Sequence, residues 1–214
     1  RNIKTQGYYD AIQFTGIEKV LYDSNLNLMS MLIREVRIKT SSKSKDPFND
    51  IATQLNLPWL LFACEMLHRK LADKNIVFLG RDCYNLYKVY SEFYQTSYYI
   101  PFSRKVAFAQ PNESVEYLKK HIPPNSVLVD ISSTGATWEN ICKIYSFDVC
   151  VLIFSDLFFY TNKKPNLPNT FSWLTQNSIL GQTNELIEIF NSAKHGPLIK
   201  IINHNGVYFS EFGM

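Results

Sequence analysis

The sequence contains no apolar run near the ~20 residues that a membrane-spanning helix needs. Its 214 residues carry a net charge of only +3 and no dense basic run, which argues against a nucleic-acid-binding protein. The four cysteines form no Cys-x-x-Cys pair, and the four histidines show no metal-ligand spacing. We therefore expect neither a zinc site nor a disulfide framework, but buried, reduced thiols in a cytoplasmic protein.

What is present indicates a globular chain with a sizeable core, because 46% of the residues are hydrophobic and 14% aromatic. Residues 1–49 are predicted to be an N-terminal helical segment and a linker. Apolar spacing favours a helix over 26–38, and the polar stretch 39–47 ends in proline. Residues 50–214 are predicted to form one α/β domain that opens with a helix over 50–73, either continuous or broken near Pro58.

Short apolar runs and helical patterns alternate through this domain. Strands are predicted at 76–79, 98–102, 127–129 and 149–154, and helices at 83–93, 113–121 and 138–145. This alternation predicts a three-layer α/β fold with a mainly parallel sheet. Ligands in such sheets bind at the carboxyl ends of the strands, so the polar bends after Leu79, Phe102 and Asp130 should share one rim.

The C-terminal part is predicted to contain a helix over 185–193 and then a hairpin. The apolar runs 198–202 and 207–209 flank Asn205-Gly206, a dipeptide that favours tight hairpin turns. The hairpin could extend the sheet as an antiparallel addition or cover the site as a hood.

The stretch 126–141 is the clearest candidate for a binding site. Asp130 ends an apolar run and is followed by small, mostly hydroxylated residues, namely Ser132, Ser133, Thr134, Gly135, Ala136 and Thr137. A strand that leads through such a loop into a helix offers backbone N–H groups and hydroxyls to a phosphate. The single glycine excludes a Walker A loop and a dinucleotide fingerprint. Alternatively, the hydroxyls only cap the following helix.

The segment Val129-Asp-Ile-Ser-Ser-Thr-Gly-Ala-Thr137 resembles the phosphoribosyl-diphosphate loop of type I phosphoribosyltransferases. The resemblance implies that residues 132–137 cradle the 5-phosphate and that Asp130 binds the ribose hydroxyls. The family usually has two adjacent acids at this point, whereas Asp130 is followed here by Ile131.

Two further bends fit this resemblance. Gly80-Arg81-Asp82 stands where the family has its diphosphate-binding loop, and Ser103-Arg104-Lys105 where it has a mobile basic loop. The resemblance implies that Gly80, Arg81, Arg104 and Lys105 bind the diphosphate. It also implies that Asp82 holds Mg²⁺ through water or acts as the general base. Alternatively, Arg81 and Asp82 form a local ion pair, and Arg104 and Lys105 are a solvated surface.

Residues 57–105, with Gly80-Arg-Asp-Cys-Tyr-Asn85 at their centre, and Glu188-Ile-Phe-Asn-Ser-Ala-Lys-His-Gly196 are similar to domains of bacterial polysaccharide glycosyltransferases. This similarity implies transfer of 5-phosphoribose from phosphoribosyl diphosphate to a sugar hydroxyl of a growing polysaccharide. The implied partners are a lipid-linked glycan acceptor and further glycosyltransferase or phosphatase domains, but no nucleic acid. The implied location is the cytoplasm, at the inner face of the membrane.

Two alternative functions stay open. A haloacid-dehalogenase-like phosphatase would need Asp-x-Asp after its first strand, and neither Asp130 nor Asp82 is followed by the second acid. A non-catalytic module of the phosphoribosyltransferase type would bind a nucleotide or a partner, and the single acid at Asp130 favours this reading.

Overall fold

The computed structural model describes residues 13–14, 16–25, 27–41, 48, 52–94, 97–133, 137–138, 141, 150–156, 171–172 and 190–213. The helices are α1 (Gly16–Asp23), α2 (Asn27–Ser41), α3 (Leu57–Leu71), α4 (Tyr84–Phe93), α5 (Arg104–Ala109) and α6 (Pro111–His121). The strands are β1 (Asn75–Leu79), β2 (Ser97–Ile100), β3 (Ser126–Ser133), β4 (Cys150–Asp156), β5 (Phe171–Ser172), β6 (Leu198–His204) and β7 (Val207–Phe212). A π-helical turn spans Ala52–Asn56 and a 3₁₀ turn spans Arg81–Cys83.

The chain divides into two compact units, Arg1–Ala63 and Cys64–Met214. The division falls inside α3. Residues 49–51 are outside the described part of the chain, so the predicted domain boundary after residue 49 stays a prediction. Of the two predicted forms of this helix, continuous or broken near Pro58, the structure has a change of helix type without an interruption, because the π-helical turn ends at Asn56 and the α-helix begins at Leu57. Proline is tolerated at this position since the first helical N–H groups lack partners.

The first unit contains the predicted N-terminal helix as α2, which packs against α1. Glu18 of α1 is fully buried, and its carboxylate accepts hydrogen bonds from Nε and Nη2 of Arg37 at 2.6 and 3.1 Å. The buried hydroxyl of Ser30 donates to the carbonyl oxygen of Glu18 at 2.7 Å. Because a buried charge needs such compensation, these bonds fix how α1 and α2 pack.

The second unit is built on a parallel sheet with the strand order β2-β1-β3-β4-β5. The predicted strands and their parallel pairing are confirmed. β2 lies at one edge of this sheet and ends at Ile100, before Pro101, so the proline does not interrupt the ladder. The connection from β2 returns across β1 to β3, so the strand order reverses beside β1.

The central strands are buried because their side chains pack on both faces of the sheet. Val77 and Leu79 on one face belong to a core cluster with Val106 of α5 and Leu118 of α6. On the other face Phe78 contacts the ring of Tyr90 on α4, with 5.5 Å between centroids. Successive side chains of a strand point to opposite faces, so the continuous apolar run of β1 serves both layers.

The predicted hairpin is confirmed as β6 and β7, which form a separate antiparallel sheet. Within the described part of the chain it is therefore not the predicted antiparallel addition to the parallel sheet. Gln110, between α5 and α6, holds it through two bonds with Ile201. The amide Nε2 donates to the carbonyl at 3.2 Å, and Oε1 accepts from the N–H at 2.9 Å.

Two predicted helices lie largely outside the described residues. Of 138–145, Trp138 and Ile141 are described and helical. Of 185–193, Phe190 and Asn191 are helical, but Ser192 and Ala193 are not, so the predicted end of this helix at 193 is wrong. Within the described part of the chain, none of the helices combines the length and the apolar character that crossing a membrane requires.

Candidate functional site

A pocket of about 180 Å³ lies at the carboxyl ends of β1, β2 and β3. It is lined by Leu79, Gly80, Arg81, Asp82, Phe102, Ser103, Arg104, Asp130, Thr137, Trp138 and Pro197. The three predicted bends thus share one rim, as expected. The pocket adjoins the reversal of strand order between β1 and β3, which is where doubly wound sheets bind ligands.

The bend after β1 depends on the conformation of Gly80. Its φ of 77° and ψ of 170° lie in a region that is essentially restricted to glycine. The N–H of Gly80 donates to the carbonyl oxygen of Ile100 at 3.1 Å, which carries the β1–β2 ladder to the pocket rim. The chain then turns through Arg81–Cys83 into α4, so Arg81 and Asp82 lie at the rim.

Asp82 is held by a residue from the far end of the chain. Oγ of Ser192 donates to Oδ1 of Asp82 at 3.0 Å. Nε of Arg81 lies 3.5 Å from the same oxygen, so the local ion pair considered for the sequence does form. Because both residues also line the pocket, the ion pair and a role in binding are compatible.

The segment that supplies Ser192 docks along the whole bend. The N–H of Ala193 donates to the carbonyl oxygen of Arg81 at 2.9 Å, and Nδ2 of Asn85 donates to the carbonyl oxygen of Phe190 at 2.7 Å. Pro197 follows in the pocket wall. The sequence predicts a helix over 185–193 and a resemblance over 188–196, but it does not predict that this segment contacts the bend after β1.

Asp130 also has a partner that was not predicted. Nε1 of Trp138 donates to Oδ2 of Asp130 at 2.7 Å. Trp138 is buried and stacks on Phe102, with 5.4 Å between ring centroids and 25° between planes. The two rings form the aromatic part of the pocket wall, and Asp130, which also lines the pocket, is half-buried.

The predicted phosphate loop begins later than expected. β3 continues to Ser133, and Ser132 and Ser133 pair with Ser155 and Asp156 of β4. The prediction that the strand ends at Asp130 and that Ser132 and Ser133 belong to the loop is therefore wrong, because the β4 ladder extends the strand. Thr137 lines the pocket at a helical position, whereas Thr134, Gly135 and Ala136 lie outside the described residues.

The predicted mobile basic loop is instead the start of α5. Ser103 caps this helix, since its Oγ accepts from the N–H of Val106 at 3.2 Å and donates to the carbonyl oxygen of Leu198. Arg104 lines the pocket, but Lys105 is exposed and is not part of the pocket wall. The prediction is thus wrong in its loop geometry, and only Arg104 of the two cations reaches the pocket.

A buried thiol lies between the two acids. Sγ of Cys83 donates to the carbonyl oxygen of Val129 at 3.3 Å, beside Asp130 in sequence. Burial, with added repulsion from the charges of Asp130 and Asp82, raises the pKa of Cys83 well above its ordinary value. The predicted buried, unpaired state is confirmed for Cys83 and Cys64. A neutral thiol at this point is a packing group and not a nucleophile.

An aromatic cluster adjoins the bend after β1. Nε2 of His195 lies 3.1 Å from the hydroxyl of Tyr99, and Nδ1 lies 2.9 Å from the carbonyl oxygen of Gly196. A carbonyl only accepts, so Nδ1 carries a proton, and in the neutral ring Nε2 accepts from Tyr99. Burial raises the pKa of Tyr99, which agrees with its hydroxyl as donor. The ring of Tyr84 meets that of Tyr99 edge-on at 5.3 Å.

No protein-family model, curated protein or solved structure matches this chain. The interpretation of the pocket therefore depends on its own chemistry.

The pocket combines two guanidinium groups, Arg81 and Arg104, with two carboxylates, Asp82 and Asp130, and the hydroxyl of Thr137. Guanidinium groups bind phosphate oxygens, and carboxylates accept hydrogen bonds from sugar hydroxyls. The volume is below the ~300–1,000 Å³ usual for sites of drug-sized ligands. A small, polar and partly anionic group, such as a sugar phosphate or the corresponding part of a larger ligand, fits these properties best.

The donor set also bears on Mg²⁺. Among the residues that the structure describes, no three His, Cys, Asp or Glu side chains cluster as metal ligands. Mg²⁺ bound to a substrate diphosphate keeps several waters and needs only one or two carboxylates. The acids that line the pocket fit that mode of binding, and they do not form a dedicated metal cage.

Proposed function

We propose that this chain transfers 5-phosphoribose from phosphoribosyl diphosphate to a hydroxyl group of a sugar in a growing bacterial polysaccharide. The observation that carries the proposal is the pocket at the β1/β3 edge, where Arg81, Asp82, Arg104, Asp130 and Thr137 meet. These are the residue types that a donor with a ribose ring, a phosphate and a diphosphate requires. The proposed fold is correspondingly that of the type I phosphoribosyltransferases, with helices on both faces of the sheet.

Each group has a defined role in the proposal. Asp130 accepts hydrogen bonds from the ribose hydroxyls, and Thr137 contributes a hydroxyl to the 5-phosphate together with residues 134–136. Arg81 and Arg104 bind the diphosphate, and Lys105 adds long-range attraction at most, because it does not line the pocket. Mg²⁺, held by the diphosphate and through water by Asp82, would neutralise charge on the leaving group.

The reaction is a substitution at the anomeric carbon of the ribose. The bond from this carbon to the diphosphate oxygen breaks, and the diphosphate leaves with the electron pair. The acceptor oxygen forms the new bond and gives its proton to Asp82, which acts as general base. Most of the acceleration would come from positioning and from the cations that stabilise the departing charge.

The decisive experiment is calorimetric titration of the wild-type chain with phosphoribosyl diphosphate and Mg²⁺, together with Asp130→Ala. Asp73→Ala is the matched control, since this carboxylate is 77% exposed and does not line the pocket. We expect binding to the wild type and to Asp73→Ala, and loss of binding in Asp130→Ala. Absence of binding to the wild type would refute the proposal.

Turnover separates the alternatives. Release of diphosphate in the presence of a glycan acceptor is expected of the transferase. Release of inorganic phosphate from ribose 5-phosphate without donor binding would favour the phosphatase. Donor binding with no diphosphate release under any acceptor condition would favour the non-catalytic module.

A further inference from the structure

In the pocket wall, the ring of Trp138 and its N–H group have different surroundings. Only 2% of the residue is exposed, although it lines the pocket. One ring face stacks on Phe102 at 5.4 Å between centroids. With so little surface left, the ring does not provide a stacking platform for a ligand.

The N–H group of Trp138 therefore acts on the protein itself. The indole is a donor only, and its one donor bonds Oδ2 of Asp130 at 2.7 Å. This distance is typical of a bond to a charged acceptor. The ring is fixed by burial and stacking, so the direction of the N–H group is fixed as well.

Asp130 needs such a partner because the terminal torsion of an aspartate side chain is broad. Rotation about this torsion moves both oxygens, and a ligand that needs one orientation must select it on binding. The neighbouring position offers no second carboxylate, since Ile131 is apolar and fully buried. A single carboxylate can bind two hydroxyls well only if its plane is already set.

We propose that Trp138 is a positioning residue that sets the carboxylate of Asp130 for the ribose hydroxyls of the donor. This inference rests on the proposed function and gives it a specific requirement: one oriented acid performs the task of an acidic pair. Trp138 itself does not touch the ligand through its indole nitrogen. The partners are eight residues apart, with Asp130 on β3 and Trp138 at a helical position, so the pairing is built into the binding element.

The first test of the inference uses no ligand. In ¹H–¹⁵N spectra the indole resonance of Trp138, identified by its loss in Trp138→Phe, should move upfield and exchange faster in Asp130→Ala. The indole resonance of Trp59 should not change. An unchanged Trp138 resonance in Asp130→Ala would overturn the pairing, whatever the function of the chain.

The second test measures donor affinity by calorimetry for the wild type, Trp138→Phe, Asp130→Asn and the double variant. Phenylalanine keeps a ring against Phe102 and removes the donor together with part of the buried ring volume, and Trp59→Phe is the control. We expect Trp138→Phe to weaken binding roughly 10-fold, the size of one hydrogen bond to a charged group. Because Trp138 acts through Asp130, the double variant should bind no more weakly than Asp130→Asn.

The outcomes separate the two proposals. If the wild type binds donor and Trp138→Phe binds equally well, the positioning role is wrong and the proposed function stands. If the two single effects multiply in the double variant, Trp138 acts independently of Asp130 and the inference is wrong. If the wild type binds no donor, the proposed function fails, and the role of Trp138 in ribose binding fails with it. A circular dichroism spectrum of each variant confirms that it is folded.

Discussion

The two acids of the pocket are held in opposite ways. Asp130 bonds Trp138, eight residues away in the same strand–loop–helix unit. Asp82 bonds Ser192, which is 110 residues away and belongs to a separate segment that docks along the bend after β1. A hydrogen bond between neighbouring segments can form as soon as those segments fold. A hydrogen bond between distant segments forms only after residues 64–214 have packed together. We infer that the Asp130 side is the fixed part of the pocket and the Asp82 side the part that depends on tertiary packing.

The largest expected effect comes from exchanging each acid for its amide. In the proposed reaction Asp82→Asn should lower turnover roughly 10²- to 10⁴-fold, the usual contribution of a general base. Its donor Kd should change less than that of Asp130→Asn, because Asp82 contacts the Mg²⁺ of the donor only through water. Asp130→Asn should instead weaken donor binding about 10- to 100-fold, the value of hydrogen bonds to a charged group.

Steady-state diphosphate release and calorimetry together measure this contrast. If both variants lose affinity and turnover in the same proportion, the two acids do not have separate roles. Asp73→Asn, at an exposed position outside the pocket, serves as the control.

A second prediction concerns the cations. Arg104→Ala should weaken binding of the diphosphate donor about 10- to 100-fold, since a charge-assisted hydrogen bond is lost. Lys105→Ala removes the same charge one residue later, outside the pocket wall. It should change the donor Kd only slightly, and added salt should abolish that small difference. Equal losses in the two variants would show that the attraction is diffuse and that the pocket does not hold the diphosphate.

The third prediction tests the distant partner of Asp82. Ser192→Ala should lower turnover about 10-fold through a loosened carboxylate, in line with one hydrogen bond to a charged group. The donor Kd should not change, because Asp130 is held independently. Ser192→Thr keeps the hydroxyl and should restore part of the rate. A drop in donor affinity for Ser192→Ala would mean that the two sides are coupled after all.

The smallest effect concerns the thiols, and it tests whether either side opens in solution. Burial raises the pKa of Cys64 to about 12 and that of Cys83 well above its ordinary value. The unfolded chain loses these protons near pH 8.5, about the pKa of a free thiol, while the folded chain keeps them. Stability should therefore be level up to about pH 8 and fall from about pH 9, and the buried tyrosines, whose pKa values are also raised, should add to the fall above about pH 10.

Urea unfolding at stepped pH values measures this slope. Alkylation with iodoacetamide at pH 8, read out peptide by peptide, measures local opening at each thiol. Cys83 reports on the pocket edge, since it bonds the carbonyl of Val129 and follows Asp82 in sequence. We expect the peptides that contain Cys64 and Cys83 to stay unmodified until urea is added. Rapid labelling of Cys83 in the folded chain would show that the pocket edge opens.

Much of the sheet could be predicted because its signals are local. The apolar runs of β1, β3 and β4 and the proline after β2 are visible as short patterns, and the parallel order follows from the alternation with helices. The end of β3 could not be predicted in this way. Ser132 and Ser133 have no strand pattern of their own, and the ladder with β4 decides their conformation.

Two errors of prediction differ in kind. The start of α5 had a readable signal, because Ser103 precedes a run of helix-forming residues and serine is a preferred N-cap. The bond between Ser192 and Asp82 had none, since no pattern in one sequence pairs positions that far apart. The bond between Trp138 and Asp130 is an intermediate case. The donor and the acceptor are close in sequence, but no pattern indicates that they pair.

The amide of Gln110 has one more consequence. In the hairpin, Ile201 faces Ser210, yet both backbone groups of Ile201 bond to Gln110. Its N–H and C=O thus point away from β7, along the outer edge of β6, and Ser103 takes the carbonyl of Leu198 on the same strand. Exposed strand edges recruit other chains and lead to aggregation. Ser103 and Gln110, which flank α5, occupy backbone groups along this edge with their side chains. The hairpin is therefore protected there against uncontrolled self-association.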